Sequence, residues 1–325
     1  MFPLSRGRRL RKNETIRRLV AEASVTPDDL IAPLFVIEGK NKKEAISSLP
    51  GYHRFTVDLA VKEAKFFFSN GIKCVLLFAK VPAGKKDNSG KEALNPKGLM
   101  QTAIKAIKAA VPELCVMTDI ALDPYSEFGH DGIVKGKVID NDSTIRVLAE
   151  MSVSHAQAGA DFVAPSDMMD GRVLKIREAL EKSGLHDTGI LAYSAKYASC
   201  FYGPFRDALN SAPGFGDKKT YQMDFANARE SIREAQADVE EGADIVMVKP
   251  ALPYLDVIAK VKAAVHVPVA AYNVSGEYAM VKAAAKNGWL DEEKAMIEML
   301  TGIKRAGADL IATYFVYDFL RLNRK

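Results

Sequence analysis

Gly242-Ala243-Asp244-Ile245-Val246-Met247-Val248-Lys249-Pro250 contains the pattern from which the whole chain can be parsed. Its glycine follows the helix-like stretch Ser231 to Glu241. That is the position just past a helix end, where a left-handed conformation penalises any residue carrying a Cβ. The charge-free apolar run after it reads as the next strand. The phrase recurs as Gly71-Ile-Lys-Cys-Val-Leu-Leu-Phe, Gly159-Ala-Asp-Phe-Val-Ala-Pro and Gly307-Ala-Asp-Leu-Ile-Ala-Thr, the last after the helix-like Glu292 to Arg305.

Filling the intervals gives eight expected strands, at 30–37, 72–79, 114–120, 161–166, 189–195, 244–249, 267–273 and 309–315. Helix-like segments at 56–69, 97–110, 143–158, 170–183, 225–241, 254–265, 276–287 and 292–305 separate most of them. Alternating β and α predicts a parallel sheet, and eight nearly continuous apolar strands suit a closed (β/α)₈ TIM barrel. The segment after the first strand, Glu38-Gly-Lys-Asn-Lys-Lys, is not the glycine fingerprint of an open dinucleotide-binding sheet. The expected organisation is an extended N-terminal arm over 1–29 and a catalytic barrel over 30–325.

A barrel of this kind keeps its active site at the C-terminal ends of the strands. Those ends read Asp119, Ser166 and Asp167, Lys196, Lys249, Asn273 and Ser275, and Tyr314. Lys196 closes Leu191-Ala-Tyr-Ser-Ala-Lys as Lys249 closes its own run. An ammonium leaving an apolar strand pays for desolvation, which favours the neutral amine, and a neutral amine beside a carbonyl forms a Schiff base. A single such lysine is more often a side chain that snorkels to the rim or pairs with a carboxylate. Two at the same relative place in neighbouring units point to chemistry.

Composition bounds the rest. The chain has 325 residues, 48% hydrophobic and 26% charged, with a formal charge of +4, so no global charge argues for nucleic acid. The excess is local, in Arg6, Arg8, Arg9, Arg11, Lys12, Arg17 and Arg18. An arm of this kind either binds an acidic polymer or is a solvated or partner-contacting extension; the absence of interleaved aromatics disfavours RNA. No apolar h-region follows the basic start, and no run approaches the ~18–20 apolar residues of a membrane span. Cys74, Cys115 and Cys200 form neither a disulfide framework nor a CxxC pair. The expectation is a soluble, reduced, cytoplasmic protein.

Two insertions stand out. After the third strand, Asp119-Ile-Ala-Leu-Asp123-Pro-Tyr-Ser-Glu127-Phe-Gly-His130-Asp131-Gly could hold a hard divalent cation, or could simply supply turn and capping residues. His130, alone in a glycine turn, reads more often as a hydrogen-bonded loop residue than as a ligand. After the fifth strand, Tyr197 to Met223 carries Arg206, Lys218 and Lys219 among glycines and prolines. These cations suit a substrate carboxylate or phosphate, or form an ordinary solvated rim. Val274-Ser275-Gly276-Glu277-Tyr278 and Thr313-Tyr314-Phe315 contain no glycine-rich phosphate cradle, which favours a carboxylate. Asp119 is the acid–base candidate.

Met247-Val-Lys249-Pro-Ala, Tyr193-Ser-Ala-Lys196-Tyr-Ala-Ser, Lys219-Thr-Tyr-Gln-Met-Asp, Tyr272-Asn-Val-Ser275-Gly-Glu-Tyr, Asp119 to Gly132 and the Arg-Arg-Leu-Arg arm together resemble the porphobilinogen synthase (δ-aminolevulinic acid dehydratase) family. The resemblance runs from about residue 5 to the C-terminus. It implies a hydro-lyase that condenses two 5-aminolevulinates, losing two waters, to porphobilinogen, the first pyrrole on the way to haem, chlorophyll and corrinoids. By that resemblance Lys196 and Lys249 form the Schiff bases. Arg206 and Lys218, under a lid that includes Gln222, would hold one substrate carboxylate, and Ser275 and Tyr314 the other. Zinc-dependent members place three cysteines where this chain has Ala121, Asp123 and Asp131. Without thiolates no catalytic zinc is expected. The resemblance points instead to Mg²⁺ bound allosterically at Glu234, which residue patterning alone would pass as a solvated helix residue; Asp123 and Asp131 stay open as ligands of a second ion. The family's arm wraps a neighbouring subunit, so the resemblance implies a homo-octamer and an interface role for the basic arm. The rivals are a class I aldolase, which needs one Schiff-base lysine, and an inactive barrel kept as a binding protein.

Overall fold

The computed structural model describes residues 1–322, so residues 323–325 of the expected barrel span lie outside the described residues. Eight strands form the barrel: β1 (Leu30–Ile37), β2 (Cys74–Ala79), β3 (Cys115–Ile120), β4 (Phe162–Pro165), β5 (Gly189–Lys196), β6 (Ile245–Lys249), β7 (Val269–Asn273) and β8 (Leu310–Thr313). Each pairs in parallel with the next, and β8 closes on β1 with Leu30 opposite Ile311 and Ile31 opposite Ala312. Helices Val57–Ser69, Leu99–Ala110, Asn141–Gln157, Arg172–Lys182, Arg229–Glu240 and Leu255–Ala264 cross between successive strands, and Ser275–Lys286 and Glu292–Arg305 both lie between β7 and β8. The chain forms the (β/α)₈ TIM barrel expected from its alternation.

The recurring phrase has a structural meaning at each of its residues. Gly71, Gly159, Gly242 and Gly307 all take positive φ, between 96° and 117°. In each case the next N–H turns back onto the helix, as in Ala243 N to Asp238 O at 2.9 Å and Ile72 N to Phe67 O at 3.0 Å. The aspartate two residues later serves the neighbouring strand. Asp161 accepts from Val116 N (2.7 Å), Asp244 from Ile190 N (2.8 Å) and Asp309 from Val269 N (2.7 Å). The same carboxylates take a cation from the helix that leads into the capped strand: Lys108 at 2.9 Å, Arg177 at 2.6 Å and Lys262 at 2.6 Å. Each phrase therefore ends a helix and starts a strand, and the three that carry an aspartate also cap the preceding strand; the Gly71 phrase has Lys73 at that place. The Asp244 side chain is half exposed, so its ion pair contributes little. Losing the cap leaves the Ile190 N–H unpaired, and Asp244→Ala should cost about 1–2 kcal/mol. The expected observation is a lower urea midpoint at an unchanged m-value.

Elements too short to show periodicity in sequence complete the fold. Strands Lys43–Ala45 and His53–Thr56 pair antiparallel, and the second adds to β1. Val134–Lys135 pairs with Val138–Ile139. The loop expected after β5 contains a helix, Gly203–Leu209, and the chain turns into a last helix, Val316–Leu322, after β8. The strands expected from 72 and 114 begin at Cys74 and Cys115 because the turns absorb the residues before them.

Residues 1–29 contain no strand. The helix Glu14–Leu19 is capped by Asn13, which accepts from Ile16 N at 3.0 Å, and buries none of its residues. Phe2, Leu4, Leu10 and Leu19 are exposed. Asp29, bonded to Thr26 N and to Lys304 Nζ at 2.7 Å each, fastens the root of this segment to the barrel. Among the described residues no helix is long and apolar enough to cross a membrane.

Candidate active site

The two lysines meet because of an irregularity. Along β5 and β6, Val246 pairs with Ala192 but Val248 pairs with Ala195, so β5 contributes one extra residue over this interval. The bulge moves the register by one, and Lys249 comes to lie opposite Lys196. Regular pairing would have set Lys249 opposite Ala195. Both lysines are buried, 5% and 7% exposed, at the C-terminal mouth of the barrel.

Their surroundings differ. Lys249 Nζ stands among four rings, 4.4 Å from the centre of Tyr272, 4.9 Å from Tyr193, 5.0 Å from Phe205 and 5.4 Å from Tyr202. Cation–π attraction returns about 2 kcal/mol to a desolvated ammonium. Taking the charge out of water costs several kcal/mol, so burial wins. Burial, reinforced by the Lys196 charge across the strand pair, pulls Lys249 down to about 7. Lys196 instead has a counter-ion. Its Nζ lies 3.2 Å from Asp131 Oδ2 and donates to the Ser166 carbonyl.

Asp119, at the end of β3, faces the same cavity. Burial and the nearby Asp123 carboxylate push it up to about 7, against the pull of Ser166, Lys249 and Lys196. Its Oδ1 is buried without a hydrogen-bond partner, as is Oε1 of Gln222. Lys218 Nζ sits 2.6 Å from Asp131 Oδ1 and 3.4 Å from Asp123 Oδ2. Burial opposes the ionised form of Asp131, yet the ammonium groups of Lys196 and Lys218 outweigh it and hold the carboxyl at about 2.

One constricted cavity thus joins Asp119, Asp123, Lys196, Arg206, Lys218, Gln222 and Lys249, with Ser166, Tyr202 and Phe205 completing its wall. The long loop is strapped to it: Tyr197 N donates to Lys249 O at 2.9 Å, and Met223 N to Lys196 O at 3.0 Å. His130 joins the two insertions, through Tyr221 Oη and Phe215 O at 3.0 Å each, which is the loop role read for it.

Ser275 and Tyr314 lie behind this cavity. The Ser275 hydroxyl accepts from Phe205 N (3.0 Å) and donates to Phe201 O (3.3 Å). Gly276 permits that approach, since a Cβ there would stand 2.6 Å from Phe201 O. Tyr314 Oη bonds Tyr272 Oη at 3.2 Å, and so contacts the lysine cage through one ring. Asp167, expected at the mouth, turns inward to Met169 N and Arg172. Asn273 likewise turns to Glu277 and Thr313. Glu234 lies on the helix Arg229–Glu240, away from the lysines, at the rim of a separate cavity of about 970 Å³ and 2.9 Å from Arg233.

Sequence reading did not single out Tyr202 or Phe205, whose only signal was an aromatic run, Phe201-Tyr202-Gly203-Pro204-Phe205, inside a glycine- and proline-rich loop. It also missed the cage faces of Tyr193 and Tyr272 and the role of Glu277 described below.

A barrel with two buried lysines, a carboxyl raised toward neutrality and the further cations Arg206 and Lys218 at one mouth suits amine chemistry on carbonyl acids. The comparisons narrow that class. The delta-aminolevulinic acid dehydratase family matches residues 4–322. A delta-aminolevulinic acid dehydratase of Methanothermus sociabilis is 55% identical over 319 residues, 98% of each chain. One of Synechococcus elongatus is 52% identical over 326 residues, 99% of each. The crystal structure of delta-aminolevulinic acid dehydratase (porphobilinogen synthase) from Toxoplasma gondii ME49, in complex with the reaction product porphobilinogen, superposes with a TM-score of 0.96 at 50% identity, covering 98% of this chain and 91% of that one. The chain belongs to the delta-aminolevulinic acid dehydratase family.

Proposed function

We infer that this hydro-lyase condenses two 5-aminolevulinates to porphobilinogen through imines on both Lys196 and Lys249. The observation that carries the reading is the register pair Lys249–Lys196 inside one cavity. Each amine adds to a ketone and expels its oxygen as water, so two imines account for both waters lost. One bound substrate then loses a proton from the carbon beside its imine, and the resulting enamine carbon attacks the imine carbon of the other. The amino group of that second substrate attacks the first imine carbon and displaces its lysine. Elimination frees the second lysine, and proton loss from carbon leaves the aromatic pyrrole. Adjacent strands lie about 4.8 Å apart, so the two amines open onto one cavity and hold their substrates as neighbours.

Asp119 serves these steps as the proton carrier. A carboxyl held near neutrality can protonate a departing hydroxyl and take a proton from carbon in the same cycle. Arg206, Lys218 and Gln222 bind the carboxylate of one substrate beside Lys196. Ser275 and Tyr314 bind the other beyond Lys249, once Phe205 gives way. Sodium borohydride in the presence of 5-aminolevulinate, followed by peptide mapping, tests this directly. Adducts are expected on both lysines, and their absence from both would overturn the reading.

Asp123 and Asp131 already bracket the Lys218 ammonium, which stands where an ion between them would sit. They do not fit a second metal, and no step runs through one. Support for Mg²⁺ at Glu234 comes from the cavity it lines, which also carries Asp170, Asp217, Asp224 and Glu230 and suits an ion that keeps most of its water and takes one or two carboxylates; Arg233, largely exposed, would have to release Glu234. Bound there, Mg²⁺ would act on the shape of the assembly and not on the reacting atoms. Chelation should leave a residual rate, and Glu234→Ala should abolish stimulation by added Mg²⁺ while leaving that residual rate intact. The enzyme works in the cytoplasm as a homo-octamer, with the basic arm as an intersubunit element. Support for the arm's contact role comes from its exposed apolar residues, Phe2, Leu4, Leu10 and Leu19.

A further inference from the structure

Glu277 is wholly buried in the first turn of the helix Ser275–Lys286, and its carboxylate accepts four hydrogen bonds. Oε1 takes Ala251 N (3.2 Å) and Leu252 N (2.9 Å), the two amides that follow Lys249-Pro250. Oε2 takes Asn273 Nδ2 (2.7 Å) and Val274 N (2.9 Å), at the end of β7. The chain of bonds continues, for Asn273 Oδ1 accepts from Thr313 Oγ1 at 2.8 Å, and that oxygen accepts from Phe315 N at 3.1 Å. One side chain therefore fastens the turn after β6 to the end of β7, and through Asn273 to the end of β8. Lys249, Ser275 and Tyr314 are each within three residues of these anchor points. No cation contacts the carboxylate among the described residues, and burial pushes it up to about 7 in spite of its four donors. A buried acceptor of this kind costs stability unless every donor is met, so its presence calls for a reason.

We propose that Glu277 is the positioning residue for the Lys249 half of the site, holding the ends of β6, β7 and β8 so that the Lys249 amine, Ser275 and Tyr314 keep one geometry. It rests on the reading of Lys249 as an imine-forming amine. Glu277 touches no substrate and acts through the turn Pro250–Leu252. The Lys196 amine is fixed by different partners, Asp131 and the Ser166 carbonyl, neither of which bonds Glu277.

That asymmetry supplies the test. In Glu277→Gln, whichever way the amide turns, an NH₂ group faces one pair of N–H donors. The variant and the wild-type enzyme are treated with 5-aminolevulinate and borohydride, and adduct formation is timed at each lysine by peptide mapping. Trapping at Lys249 should slow by on the order of 10²-fold, as small misplacements at a reacting centre do, with turnover falling in step and trapping at Lys196 unchanged. Equal rates at Lys249 in variant and wild type, or equal slowing at both lysines, would overturn the proposal. If wild-type Lys249 forms no adduct at all, the functional reading fails first. Thr313→Val leaves all four bonds of Glu277 in place and should keep Lys249 trapping; slowing there as large as in Glu277→Gln would mean general loosening and overturn the proposal. Should the glutamine variant not fold, Glu277→Asp keeps both oxygens one methylene short of the turn and is expected to show the same selective loss at Lys249; wild-type rates at both lysines would then refute it.

Discussion

Replacing Lys249 by methionine is expected to lower porphobilinogen formation by on the order of 10⁴-fold or more, since the loss of a covalent nucleophile removes a whole reaction route. Methionine fills nearly the same volume, so the ring cage of Tyr193, Tyr202, Phe205 and Tyr272 stays packed. The variant should be no less stable than the parent, and more stable by about 1 kcal/mol, because a buried ammonium is replaced by an apolar group. Two measurements separate this from a folding defect. A colorimetric assay reads the lost product, while the thermal midpoint stays level or rises. Borohydride should still mark Lys196 in the presence of 5-aminolevulinate, because its ion pair with Asp131 does not involve Lys249. Loss of labelling at both lysines would show that the two imines depend on each other from the start. Retained turnover would remove Lys249 from the mechanism.

The contrast between the two lysines also marks the limit of what the chain declared in advance. Both close apolar strands, and both were read as amines pressed by desolvation. Only the folded chain shows Asp131, 65 residues upstream, set against Lys196, and rings set around Lys249. The barrel was legible because its signals are local: each Gly-Ala-Asp phrase ends one helix and begins one strand within a few residues. The strand ends were legible for the same reason. The bulge that aligns the lysines was not, because a register belongs to a pair of strands and neither sequence carries it alone. Ser275 and Tyr314 were read as strand ends, but a role in holding a substrate carboxylate came only from resemblance to a family. Their hydroxyls are engaged with Phe201, Phe205 and Tyr272, contacts between segments dozens of residues apart. Glu277 stood inside a quoted motif, yet nothing in its neighbourhood along the chain distinguished it from an exposed helix glutamate.

Replacing Asp119 by asparagine is expected to cut turnover by about 10²–10⁴-fold, the range for a positioned acid–base group, and to change the shape of the pH profile as well as its height. Lys249 is drawn down to about 7 and Asp119 pushed up to about 7, and each acts on the other. Across neutral pH the pair therefore holds one proton between them, as ammonium with carboxylate or as amine with carboxylic acid. In the mechanism proposed for this enzyme the second form does the chemistry: a free amine attacks the ketone and the acid expels water. Below this range both groups are protonated and no nucleophile is left. Above it both are deprotonated and no acid remains. The wild-type rate should thus follow a bell whose two limbs lie on either side of about 7, and these limbs belong to the pair and not to either residue. Asparagine donates no proton of this kind, so the alkaline limb should vanish. The Asp119 charge also holds the Lys249 proton in place, so its removal should move the acid limb to lower pH. The check is kcat/KM against pH for both enzymes, since that ratio reports the titrating groups of the free enzyme. A variant that keeps the alkaline limb would mean that another group expels water, and an acid limb moved to higher pH would mean that Asp119 does not face Lys249 in the working enzyme.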